Sequence, residues 1–179
     1  MQDEKALVQK HKKTRPKFED VADSLVKNDV LKNALVFVAF LQENNIRLVW
    51  KSTCSWSAEY KGERVCTLHI RYDSYTPSKE IGALVVRPWG YYGGEYENFI
   101  TSDKDKEIIW ASVKQCNACN GRYTGKKRPC NFAKGNDIMI FGKIFESVCG
   151  YLLIKNPDSE MLDFAKKWVM AKIQTIKGE

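Results

Sequence analysis

Cys116 and Cys119 form a Cys-x2-Cys pair, and Cys130 and Cys149 follow it singly. A turn of that spacing presents two thiolates to one ion without long-range closure. Zinc takes such soft ligands tetrahedrally, with sulfur at about 2.3 Å. Asn117, Ala118, Asn120 and Gly121 suit a tight knuckle, and Lys114, Arg122, Lys126, Lys127 and Arg128 would offset thiolate charge and lower thiol pKa. A loop this polar buries little of itself, so a metal would give it a reason to be ordered. The pattern predicts a structural zinc site at Cys116, Cys119, Cys130 and Cys149. Two other readings of the same thiols stand beside it. One is a redox pair at Cys116 and Cys119, although such a motif belongs at a strand-to-helix junction and this one follows a predicted helix. The other is ordinary packed thiols, as Cys149 would be in the apolar stretch 145–154. Iron–sulfur ligation falls within the metal reading. Four thiolates would close the coordination sphere, whereas open catalytic zinc sites hold three protein ligands and a water. The zinc-deaminase pattern is absent, because no His-x-Glu occurs and no Pro precedes Cys116.

Cys54 and Cys66 read as packed thiols. His11 falls in a basic N-terminal arm. His69 falls on the strand face opposite Cys66, which argues against a Cys–His nucleophilic pair there. Gly-x-Ser-x-Gly, phosphate-loop and dinucleotide fingerprints do not occur. Trp89, Tyr91, Tyr92 and Tyr96, in a loop rich in glycine and aromatics, are the candidates for lining a small-molecule pocket or partner surface. The bland alternative is that they cover the edge of the core.

The elements that must hold these residues follow from periodicity. Residues 1–17 carry six Lys and Arg and no sustained apolar face, and are expected to be a basic arm, possibly disordered, ahead of a single domain over 18–179. Residues 18–27 are predicted helical. Leu31, Leu35, Val38 and Leu41 recur at helical spacing with Ala34, Phe37 and Phe40, predicting a central helix buried against a sheet. Residues 46–50, 56–60, 64–72 and 81–86 alternate as strands, with Lys61-Gly62-Glu63 turning a hairpin. In the 64–72 strand, Cys66, Leu68, Ile70 and Tyr72 share one face, and Val65, Thr67, His69 and Arg71 the other. Ser102 and Asp105 mark a helix start. Residues 137–141 and 151–154 read as extended. Asn156 as N-cap and Pro157 at the first turn open a last amphipathic helix. The expected class is α+β: an antiparallel sheet of four to five strands packed against helices, with a cysteine-rich insertion at 116–134.

The chain resembles small bacterial proteins of uncharacterised role with a cysteine-rich C-terminal half. The likeness runs from Trp50 onward, through Trp56…Tyr60-Lys61-Gly62, Cys116-x2-Cys119, Phe141-Gly142-Lys143, Val148-Cys149 and Asn156-Pro157-Asp158. It implies no activity, and it favours Cys149 as a member of the cysteine set.

Composition bounds the rest. The 179 residues carry a formal net charge of +7 and are 44% hydrophobic, enough for a packed core. No run approaches the roughly 18 apolar residues that span a bilayer, and the start lacks an apolar secretory core. A cytoplasmic setting with reduced thiols is therefore expected, with no membrane partner. The leading expectation is a non-enzymatic binding or adaptor domain with structural zinc. A small-molecule sensor or enzyme built on the aromatic loop comes second. Nucleic-acid binding through the basic arm and residues 121–135, which hold five Lys and Arg and no acid, comes third.

Overall fold

Two tight turns set the sheet geometry. At Lys61-Gly62 and Phe141-Gly142 both central residues take positive φ (50° and 87°, 47° and 79°), the type I′ conformation whose twist matches paired strands. In this computed structural model residues 2–71, 82–88, 99–115 and 136–178 are described, some of them by backbone alone. Three helices come first: α1 (Gln2–Thr14), α2 (Phe18–Leu25) and α3 (Asn28–Glu43). The strands β1 (Arg47–Ser52), β2 (Ser55–Tyr60), β3 (Glu63–Ile70) and β4 (Leu84–Pro88) follow. Then come α4 (Asp103–Ser112), β5 (Val113–Gln115), β6 (Asn136–Ile140), β7 (Lys143–Leu152), β8 (Ile154–Lys155) and α5 (Ser159–Lys177).

The main sheet is antiparallel throughout, in the order β1-β2-β3-β4-β8, and a second sheet has the order β5-β7-β6. The architecture is α+β with a five-stranded sheet, as the periodicity predicts. One face of that sheet presents Trp56, Ala58, Cys66, Leu68, Ile70, Leu84 and Val86, which share a core with Phe37, Leu41, Phe164 and Trp168 of the helices. The ring of Phe18 meets Trp56 edge-on at 5.2 Å, and Trp56 Nε1 donates to Pro16 O at 3.0 Å. These contacts hold the α1–α2 connection against β2.

Four expectations need correction. The basic arm is helical from Gln2 to Thr14. Its Gln, Glu, Lys and Ala residues favour helix, and His11, Lys12 and Lys13 in the last turn complement the dipole without any apolar stripe. In α3 the buried residues are Ala34, Phe37, Val38 and Leu41, while Leu35 is 41% exposed and Val36 45%. The helix therefore buries one side only and is not enclosed all round. Val65 joins the main core, because a bulge between Ala58/Glu59 and Cys66/Arg64 breaks the simple alternation of β3. Finally, Asn156 does not cap α5. Asp158 does, accepting from Met161 N at 2.8 Å, whereas Asn156 takes φ 45° and clasps β4 through Leu84, accepting from its N–H at 2.9 Å and donating to its carbonyl at 2.7 Å.

Candidate functional site

The second sheet bears on the cysteine set through its register. Central strand β7 pairs on one side with β5, Gln115 opposite Val148, and on the other with β6, Asn136 opposite the same Val148. Val148 is fully buried, and the next residue along β7 is Cys149. The chain therefore leaves the sheet at the residue before Cys116 and re-enters at Asn136, both ends flanking one rung of β7 next to Cys149. Cys116, Cys119 and Cys130 lie outside the described residues, and so do Trp89, Tyr91, Tyr92 and Tyr96. Among the described residues no group of three or more His, Cys, Asp and Glu is arranged to hold a metal.

The two thiols of the main sheet are packed, as expected. Cys54 and Cys66 are both 0% exposed, and burial pushes the Cys66 thiol far above its ordinary range, which removes it as a nucleophile. Sequence reasoning missed the companion of Cys54. His11, 5% exposed, reaches in from α1 and places Nδ1 3.7 Å from Cys54 Sγ. Burial, with a smaller contribution from Lys10, holds the imidazole below its usual value. Nothing in the pattern of α1 marks His11 as an anchor, because no apolar neighbours recur around it.

The face of the main sheet away from the helices is polar and basic. Register places Ser57 opposite Thr67, Thr67 opposite Arg87, His69 opposite Val85, and Val85 opposite Lys155. Directly opposed residues project to the same side, so these residues line one surface. The β3 bulge brings Arg64 onto it, where Arg64 Nε donates to Ser57 Oγ at 3.1 Å. Straight alternation along β3 would have put Arg64 on the side of Cys66. His69 is pushed down to about 4, first by desolvation and then by the charges of Arg87 and Arg71. Glu59 on the same face is tied to Lys51 at 2.8 Å, and that bond is the main cause of its lowered pKa.

Elsewhere, Ile100, Thr101, Lys106, Phe141 and Gly142 line an open depression between the start of α4 and the β6–β7 turn. It gathers no acid–base pair. Among the described residues no helix is long and apolar enough to cross a membrane. The chain matches no protein-family model, no curated protein and no solved structure.

Proposed function

We propose that the chain is a non-enzymatic binding domain whose second sheet is fastened by a structural zinc ion on Cys116, Cys119, Cys130 and Cys149. The observation that carries this reading is the double pairing of Val148. Residues opposed across an antiparallel ladder have Cα atoms about 4.5–5.5 Å apart. Gln115 and Asn136 are thus both immediate neighbours of the rung beside Cys149. The segment carrying Cys116, Cys119 and Cys130 starts and ends there, so closing a coordination sphere with Cys149 requires no rearrangement of the described strands. Four thiolates would saturate the ion, leaving no position for water or substrate and giving the site a role in folding.

Zinc measured on protein purified without chelator is expected at one per chain. Cys116→Ser and Cys149→Ser are each expected to lower that content and the thermal midpoint together. A content well below one per chain in the unsubstituted protein, or full retention in Cys149→Ser, rejects the reading.

A further inference from the structure

The polar face of the main sheet collects more positive charge than its hydrogen bonds require. Arg64, Arg71 and Arg87 reach it from two adjacent strands and the residue that continues β3, with the hydroxyls of Ser57 and Thr67 between them. Arg71 stays in register with β4 beyond the end of β3, its N–H donating to Ala83 O at 3.0 Å. Among the described residues, the charges acting on the imidazole of His69 are those of Arg87 and Arg71, both positive. Ser57 and Val85, each 0% exposed, form a firm floor, while Arg64, Thr67, His69, Arg71 and Arg87 are all partly buried. Like charges gathered on one surface and partly withdrawn from water lose hydration and repel one another.

We propose that this face is a phosphate-binding site, in which Arg64, Arg71 and Arg87 hold the phosphate group of a ligand over Ser57 and Thr67. Three features select phosphate. The cations are arginines, whose planar forks match phosphate oxygens two at a time. They approach from more than one direction, which suits a tetrahedral anion better than a flat carboxylate. The neighbouring imidazole is neutral above its lowered pKa and can share a hydrogen bond without demanding a counter-ion of its own. Each of the three arginines also makes other interactions within the chain. A guanidinium has five N–H donors, so it can keep such a contact and still present two to a ligand. The β3 bulge has a consequence here, because it alone places Arg64 on this side. None of these residues belongs to the cysteine set, so the proposal stands or falls independently of the zinc reading.

The test is pyrophosphate binding by isothermal titration, with ionic strength held constant by chloride. Saturable binding is expected, weakened at least tenfold in Arg87→Lys and in Arg64→Gln. The double variant Lys32→Gln/Lys177→Gln, which removes two exposed charges on the helices, is expected to bind as the unsubstituted protein does. Absence of saturable binding, or an equal loss in the helix variant, overturns the proposal. Because a substituted arginine could disturb the sheet, phenylglyoxal labelling of the unsubstituted protein provides a second measurement. Pyrophosphate should protect Arg64, Arg71 and Arg87 selectively, and protection spread equally over Arg15 and Arg47 would sink the idea. A short oligothymidylate identifies the source of the phosphate. Competition with pyrophosphate at the same arginines supports a nucleic-acid backbone, and its failure to compete while pyrophosphate binds supports a small phosphorylated ligand.

Discussion

His69 stands between two guanidiniums on a partly buried strand face, so its neutral form is favoured in the folded chain. The unfolded chain takes up this proton near 6.5 and the folded chain only near about 4. Between those values the unfolded state binds more protons, so stability rises with pH. The contribution is complete above the unfolded value and is lost as pH falls toward the folded one. The difference corresponds to no more than about 3 kcal/mol, reduced by the screening that a partly exposed ring retains. Denaturant unfolding of the unsubstituted protein and of His69→Gln between pH 7 and pH 4 measures it. The unsubstituted protein is expected to lose more stability on acidification, with the gap opening below pH 6.5. Parallel pH curves would refute the assignment. His11, also held low by burial, acts in the same direction from the other side of the sheet and is untouched by the substitution.

At the scale of elements, the joint between α2 and the strand edge depends on one glycine. Gly82 has φ +86°, and a Cβ built there would lie 2.2 Å from the carbonyl oxygen of Leu25, a backbone atom at the end of α2. Its N–H donates to Arg71 O at 2.7 Å, so it also aligns the end of β3 with β4. Gly142, at φ +79°, has nothing within 4 Å of its added Cβ. Gly142→Ala should therefore cost only the left-handed conformational penalty, about 1–2 kcal/mol. Gly82→Ala adds a backbone collision and should cost clearly more, which paired thermal unfolding curves would measure. Equal midpoints would show that α2 yields freely. What the sequence revealed of these elements depended on how local their causes were. The Lys61-Gly62 hairpin and the Ser102 cap, which accepts from Asp105 N at 3.1 Å, have neighbouring causes and could be read directly. Asn156 could not, because the partner that draws it off the helix, Leu84, is distant in sequence. Nor could the placement of Arg64, since a bulge changes the face without changing the residue pattern. The cysteine spacing was visible, but the double pairing of Val148 was not, because three-residue β5 is too short to show alternation.

For the whole molecule, the question is how the second sheet and α4 are joined to the main sheet and its helices. Three contacts do so or brace the joint. Leu153 N donates to Ser112 O at 2.9 Å where β7 hands over to β8, and Trp110 Nε1 donates to Ile140 O at 2.9 Å. The third is the ion pair between α4 and α5, with Lys167 Nζ 2.9 and 3.2 Å from the two oxygens of Asp105. The Asp105 side chain is 8% exposed and that of Lys167 53%, so removing either partner is unequal in effect. Lys167→Met leaves a buried carboxylate without its counter-ion, a loss worth about 3–5 kcal/mol for a fully buried pair. Here the solvent reaching Lys167 and the N-terminal end of α4, where Asp105 sits, reduce that to about 1–2 kcal/mol. Asp105→Asn removes the charge that needed compensation and should cost less. In Lys167→Met/Asp105→Asn, the second change should recover part of the first. Chemical denaturation of the four proteins, followed by both circular dichroism and tryptophan fluorescence, checks the order and the coupling. If α4 unites the two sheets in one cooperative unit, both probes give coincident transitions in every variant. A fluorescence transition that separates from the circular dichroism transition in Lys167→Met would instead mean that α4 and the second sheet unfold on their own.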